Sequence, residues 1–282
     1  MSERKIHRSL FAGFVLVILF AGFLSWWQAY QETMTVTFLN VGEGDAILIA
    51  QGSNQVLIDG GRSGKDLLAR LGRQMPFWDR TVEIIIATHP DADHIGGFST
   101  LLKSYRVPLF LYTGAESDTE TFRVFKQSLL TYRTEIGTVF RGGRIQFPYG
   151  GELVAKYPLT PLPTEMKETN AGSIVLSLTF GETEMLFTGD LPNEEQVLPD
   201  ISPADILKVA HHGSKYSTSA AFLDLVQPKE SVISVGKNSY GHPSPDVLGR
   251  LRERGILIRR TDTDGDVEYR CTAKRGGCLY VR

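Results

Sequence analysis

The chain has 282 residues, enough for one sizeable domain with an appendage. A hydrophobic share of 42% and a net charge of −2 are those of an ordinary globular protein. Near-neutral charge removes bulk electrostatics as an argument for a nucleic-acid partner, although local basic patches can sit within it. No internal repeat or low-complexity tract is evident.

The amino terminus stands apart. Arg4, Lys5 and Arg8 precede Ser9–Trp27, an uncharged run dominated by large apolar residues. It is close to the roughly twenty residues needed to span a bilayer. Trp26, Trp27 and Tyr30 sit where an interfacial aromatic belt belongs, and the basic flank favours an inside amino terminus. Bulky Trp26 and Trp27 make a poor cleavage site, which favours an anchor over a cleaved signal peptide. Either way the body of the protein is expected outside the cytoplasmic membrane. The expected division is residues 1–30 as the membrane segment and 31–282 as one folded domain.

Met34–Val41, Asp45–Gln51 and Gln55–Asp59 read as successive strands, broken by Gly42-Glu43-Gly44 and Gly52-Ser53-Asn54. Lys65–Gln74 reads as a helix ended before Pro76. Val82–Ala87 is an apolar, β-branched run, hence a buried strand. At its end comes Thr88-His89-Pro90-Asp91-Ala92-Asp93-His94-Ile95-Gly96-Gly97. A strand end followed by a tight loop lets His89, Asp91, Asp93 and His94 converge on one point. Imidazole and carboxylate together suit zinc, manganese or iron. Helix capping by Asp93 is the plainer alternative, but it needs fewer such residues.

This run resembles the signature loop of the metallo-β-lactamase fold, H-x-H-x-D-H, with Asp91 in place of the second His. The variant H-x-D-x-D-H-x-G-G looks like the hydrolase domain of ComEC-type competence proteins, which import DNA. The resemblance implies a four-layer αββα sandwich, α/β (α+β) in class, behind an N-terminal transmembrane helix. It also implies one or two divalent metal ions, zinc or manganese. His89, Asp91, Asp93 and His94 would be ligands, and Asp59 would support the metal loop from behind; a simple turn aspartate is the other reading of Asp59.

Further along, a helix through Lys103, a strand Val107–Tyr112 and a helix Thr119–Leu130 are expected. Thr138–Tyr157 reads as a meander of short strands, and Pro158–Lys167 as a loop. Ser173–Phe180 and Glu184–Phe187 form a hairpin that delivers Thr188-Gly189-Asp190. This turn resembles the family's fourth motif, which makes Asp190 a bridging ligand. No histidine lies between His94 and His211; where the family has a third-motif His, Asn170 and Ser173 stand instead. That departure leaves the first metal site oxygen-rich, more tolerant of manganese or magnesium, or leaves a single metal.

Ile206–Ala210, an apolar strand, ends in His211-His212-Gly213-Ser214; a helix Ser219–Val226 and a strand Ser231–Val235 lead to His242. By order of motifs, the resemblance makes His242 a ligand of the second metal with Asp93, His94 and Asp190. His211 and His212 then fall where related phosphodiesterases keep a proton donor. Ser214 contacts a phosphate or caps the next helix. Pro245–Arg254 is an amphipathic helix whose Arg250, with Arg252, Arg254, Arg259, Arg260, Lys274 and Arg275, either contacts DNA or forms a solvated face. Asp262, Asp264 and Asp266 read as a turn. Cys271 and Cys278 flank a hairpin turn and either close a disulfide or are unrelated thiols.

The resemblance implies metal-assisted hydrolysis, with Asp93 positioning the attacking water and His211 or His212 assisting the leaving group. It points to a nuclease acting on DNA in connection with DNA uptake, either the detached partner of a separate channel or an independent extracellular nuclease. A small-molecule hydrolase of a lactone, β-lactam or thioester is the second reading, and a non-catalytic binding module the third.

Overall fold

The computed structural model describes residues 3–273 and 276–282; the expected basic pair at the last hairpin, Lys274 and Arg275, lies outside these. A helix, α1 (Glu3–Glu32), leads into strands β1 (Met34–Phe38), β2 (Ile47–Gln51) and β3 (Asn54–Ile58). The chain continues through α2 (Gly64–Gln74), β4 (Ile84–Ile86), α3 (Ala92–Ile95), α4 (Phe98–Ser104), β5 (Leu109–Tyr112), α5 (Glu120–Tyr132) and β6 (Glu135–Thr138). A second group follows: β7 (Arg144–Gln146), β8 (Glu152–Tyr157), β9 (Val175–Phe180), β10 (Thr183–Phe187), α6 (Glu194–Val197) and β11 (Ile206–Lys208). It closes with α7 (Ala220–Val226), β12 (Glu230–Ile233), α8 (Pro245–Glu253), β13 (Leu257–Arg260), α9 (Thr261–Asp264) and the hairpin β14 (Val267–Thr272) and β15 (Gly277–Tyr280).

Among the described residues the strands form two mixed sheets, β15-β14-β1-β2-β3-β4-β5-β6 and β13-β12-β11-β10-β9-β8-β7. The inner faces meet over Phe38, Ile49, Ile58, Leu176, Phe187 and Val232, all buried. Outside the first sheet, α2, α4 and α5 cover Leu48, Leu57 and Ile85 with Leu67, Leu101 and Phe125. Outside the second, α7 and α8 cover Leu207 and Ile233 with Phe222 and Leu251. Helix on sheet on sheet on helix is the expected αββα order, each sheet burying both faces as apolar strands require.

The expected meander, Thr138–Tyr157, holds the antiparallel pair β7 and β8, and the strand β6 just before it is not among the expected elements. β6 pairs parallel to β5 at the edge of the first sheet, whereas β7 and β8 open the second. Asp262 and Asp264 fall in the short helix α9 rather than in an irregular turn. Cys271 and Cys278 are directly opposed in β14 and β15 and are joined as a disulfide. In α1, residues Gly13–Glu32 are long and apolar enough to cross a membrane by length and composition, and its apolar side chains, such as Phe20 and Trp26, are exposed.

What the fold does for chemistry is to bring strand ends together. β3 and β4 run parallel, as do β10, β11 and β12. The loops that leave their carboxyl ends carry Asp59, His89–His94, Asp190 and His211–His212 to one edge of the sandwich. That edge is where open α/β sheets place their ligands.

Candidate metal centre

On the first sheet, Asp59 follows β3 with a left-handed backbone, φ 59°, and its carboxylate is buried. It accepts hydrogen bonds from Thr88 N at 2.8 Å and Thr88 Oγ1 at 2.7 Å, and lies 2.7 Å from His94 Nδ1. The last contact fixes the His94 ring so that Nε2 faces inward, 3.3 Å from Asp190 Oδ2. His89 Nδ1 lies 3.0 Å from Thr88 Oγ1 and 3.4 Å from Ser173 Oγ, and its Nε2 is 3.7 Å from Asp91 Oδ2. Thr169 Oγ1 donates to the other oxygen of Asp91 at 2.7 Å. A carboxylate or hydroxyl behind each inward ring is the usual device for orienting metal-binding imidazoles.

On the second sheet, Asp190 N donates to Ser173 Oγ at 3.1 Å. His211 and His212 both adopt left-handed backbones, φ 50° and 52°. Such conformations cost of order 1–3 kcal/mol each in non-glycine residues and recur at functional sites. Here they turn both rings toward Asp190 Oδ2, with Nε2 at 3.9 Å for His211 and 3.4 Å for His212. His212 Nε2 is also 3.4 Å from Asp93 Oδ2, and its Nδ1 lies 2.8 Å from the carbonyl of Ser234. Gly44 borders the same loop; a Cβ there would lie 1.8 Å from Asp93 O, so only glycine lets the two loops close.

Behind these groups lies an ion pair. Lys208, at the end of β11, is 1% exposed. Its ammonium donates to Gly189 O at 2.8 Å, pairs closely with Asp45, and lies 3.6 Å from Asp190 Oδ1. Asp45 in turn sits 3.4 Å from His212 Nδ1. Burial disfavours the Lys208 charge, but Asp45 and Asp190 outweigh it and raise its pKa.

Whether these residues fit a metal is tested by their unpaired atoms. His89 Nε2, His94 Nε2, His212 Nε2 and Asp190 Oδ1 are buried without hydrogen-bond partners, which native interiors rarely tolerate. Donor atoms of His89, His94 and Asp190 lie within 4.8 Å of one another, as do those of Asp93, His94 and His212. The electrostatics agree. Burial works against charge on His212, yet Asp190 and Asp45 push its pKa up to about 10. Asp190 and Asp59 likewise raise His94 in spite of its burial. Burial, then His94, holds His89 down to about 3 and neutral. Burial alone would raise Asp190, but His212, His94 and Lys208 hold it well below the carboxylate range. A field that holds extra protons on imidazoles also holds cations, which compete for the same lone pairs. The residues fit a divalent ion.

Two placements differ from the order of motifs. Donor atoms of His212 lie close to those of Asp93, His94 and Asp190, while His242 lines the rim of the cleft, its ring 5.4 Å from that of His211 and 5.8 Å from that of Tyr240. Arg250 does not face the site. Its guanidinium donates to the carbonyls of Thr218 at 2.9 Å and Ser217 at 3.0 Å, tying α8 to the loop after His212. Ser214 is buried; the cap of α7 is Ser219, whose side chain accepts from Phe222 N. Ser173, in the expected third-histidine position, orients His89 and Asp190, and Asn170 Nδ2 lies 3.5 Å from His211 Nδ1. Sequence reading missed Asp45, Thr88, Thr169 and Lys208. A lysine inside the apolar run Ile206–Ala210 was the one available signal.

The centre forms the floor of an open cleft of about 390 Å³, walled by Arg62, Asn170, His211, Asn238, Tyr240 and His242. Imidazoles and carboxylates gathered at one edge of an αββα sandwich define a metallo-hydrolase fold. Residues 39–237 match the family profile of the Metallo-beta-lactamase superfamily, and the chain belongs to it. It is 33% identical to ComE operon protein 3 of Bacillus subtilis (strain 168), over 83% of this chain and 33% of that protein. It is 28% identical to competence protein ComA of Neisseria gonorrhoeae, over 90% of this chain and 35% of that protein. The chain thus spans about a third of the length of these relatives. Among solved structures, the metallo-beta-lactamase fold protein YhfI from Bacillus subtilis superposes with a TM-score of 0.56 at 16% identity, covering 84% of this chain and 99% of YhfI.

Proposed function

We propose that the chain is a membrane-anchored, extracytoplasmic, metal-dependent phosphodiesterase that cuts DNA in connection with DNA uptake. The observation that carries it is the convergence of three imidazole Nε2 atoms on Asp190 beneath an open cleft. The competence-protein relatives support a role in DNA uptake, and DNA is the substrate that fits such a role. The apolar helix and the Cys271–Cys278 disulfide support an extracytoplasmic domain, because disulfides are rare in the cytosol.

His89, Asp91 and Asp190 would hold one cation, and Asp93, His94, Asp190 and His212 a second. Bound there, a divalent ion supplies Lewis acidity at a phosphoryl oxygen and lowers the pKa of water. Asp93, partly exposed in the cleft, orients the attacking water and accepts its proton. Asn170 against His211 Nδ1 leaves the ring proton on Nε2, facing the cleft, where it can hydrogen-bond the leaving oxygen and stabilise its developing charge. Arg62 offers a cation at the wall for a phosphate, held beside Glu43 at 3.1 Å.

The test uses the full chain in detergent with manganese, zinc or magnesium. Substrates are single- and double-stranded DNA, bis(p-nitrophenyl) phosphate, a lactone and a β-lactam, each also given to Asp190→Ala. Metal-dependent cleavage of DNA and the small diester, lost in the variant, is expected. Turnover of the lactone or β-lactam with no diester cleavage would overturn the proposal.

A further inference from the structure

The end of the sandwich opposite the cleft carries an unexplained feature. After α2, Met75 is buried, and then Phe77 and Trp78 project with 79% and 63% of their surfaces exposed, their rings edge-on at 4.9 Å. Their base is held firmly. Asp79 N donates to Pro76 O at 2.9 Å, Gln55 Nε2 donates to Asp79 Oδ2 at 3.1 Å, and Arg80 donates to Tyr105 Oη at 3.0 Å. A stiff loop that presents two large apolar rings to water is an interaction site waiting for a partner.

Its position says which partner. Tyr30, near the end of α1, donates from its hydroxyl to Gly52 O at 2.9 Å, in the β2–β3 turn. A hollow beside that contact has Trp26, Ala29 and Tyr30 on one wall and Gln74, Met75 and Pro76 on the other. The Phe77–Trp78 tip therefore hangs at the end where α1 joins the domain. That end is one strand from the metal centre: β2 and β3 pair from Ile47–Ile58, next to Asp45 and Asp59, to Gln51–Asn54. Five residues of strand span about 16 Å.

We infer that Phe77 and Trp78 form a second membrane contact, seated in the headgroup layer of the bilayer that α1 crosses. With α1 they give the domain two fixed points on the membrane and hold the cleft facing away from it. The inference rests on the reading of α1 as a membrane span. Trp and Phe are at home at the membrane interface, as are Trp26, Trp27 and Tyr30 at the end of α1. Arg73 beside the tip lines the same hollow and can reach the phosphates of that layer, whereas Arg270 and Arg282 there are paired with Glu268 at 3.2 and 3.4 Å. A protein partner fits less well. Two aromatic side chains bury about 150–250 Å² each, short of the roughly 800 Å² per partner of a standard protein interface.

The chain's tryptophans are Trp26, Trp27 and Trp78, so fluorescence can isolate the tip. The full chain is reconstituted in phosphatidylcholine–phosphatidylglycerol vesicles whose acyl chains carry bromine near the headgroup. In W26F/W27F only Trp78 emits, and roughly a twofold quenching by the brominated lipid, with shielding from acrylamide, is expected for a residue at the interface. In W78F, Trp26 and Trp27 report on α1. Lipid quenching in W78F with none in W26F/W27F would leave the anchor standing and overturn the second contact. No lipid quenching in either would remove the span itself, and the inference with it.

Discussion

Replacing Lys208 by methionine should expose how the site is held together before any metal binds. Methionine fills much of the lysine stem's volume but carries no charge, so Asp45 and Asp190 would face each other, both buried, without the cation between them. Removing one partner of a buried ion pair costs about 3–5 kcal/mol, because the remaining charge is stranded. For a domain of this size 1 kcal/mol shifts Tm by ~2–4 °C. Lys208→Met should therefore melt about 6–20 °C below the parent in EDTA, followed by circular dichroism of the full chain in detergent. Manganese should then recover more stability in the variant than in the parent, because the cation enters a site with one more uncompensated negative charge. A ligand at a hundred times its Kd contributes about 2.7 kcal/mol, enough to register as several degrees. A variant that melts within about 2 °C of the parent in EDTA would refute the claim that Lys208 neutralises this centre.

Two further outcomes follow from groups around the histidine loop. Glu194 is fully buried, with both carboxylate oxygens accepting from Thr218 N at 2.8 and 3.0 Å, and burial lifts its pKa from 4.5 to about 7. The folded state then binds this proton more tightly than the unfolded state. The stability it contributes is full below pH 4.5 and lost as pH rises through about 7, a loss of up to roughly 3 kcal/mol at 1.36 kcal/mol per unit. Glu194→Gln should flatten the dependence of the urea midpoint on pH across that window; an unchanged slope would count against it. Arg250→Ala deletes two charge-assisted hydrogen bonds to backbone carbonyls, at ~1.5–3 kcal/mol each. It should lower Tm and reduce turnover of DNA and of a small diester alike, whereas a loss confined to DNA would restore the arginine to a substrate groove.

Sequence carried the fold well where the signal was local. The apolar runs that became β3, β4 and β10 each lead straight into polar residues that the site uses, Asp59, Thr88-His89 and Thr188-Gly189-Asp190. The contiguous loop His89–His94 could be read because strand, turn and ligands lie within one short stretch. Asp45 and Lys208 could not. They face each other only after β2 and β11, which belong to different sheets, have packed, and neither is distinctive alone. β6, over Glu135–Thr138, was missed for the same reason, since whether a short strand finds a sheet is decided by its neighbours and not by its own residues. The arginines of α8 looked like a basic face because helical spacing cannot show that one of them turns back onto a loop.

The different placements of His212 and His242 show what a motif leaves out. Order along the chain offered three late histidines for one place, and nothing in their spacing separates them. In the folded chain the rings are distinguished by what stands behind them. His94 has Asp59 at Nδ1, His89 has Thr88 and Ser173, and His212 has the carbonyl of Ser234. Each of those rings turns its Nε2 to the centre and leaves it without a partner. His211 has only the long contact from Asn170, and it stays half-exposed toward the cleft. For the His242 ring, no hydrogen bond is found among the described residues; its backbone is held by Asn238 while the ring packs between His211 and Tyr240. An imidazole without a fixed Nδ1 can rotate away from a metal, and holding it in place would cost entropy at every binding event. The ligand set we propose follows from these supports, most of which are hydroxyls and backbone carbonyls that carry no motif of their own.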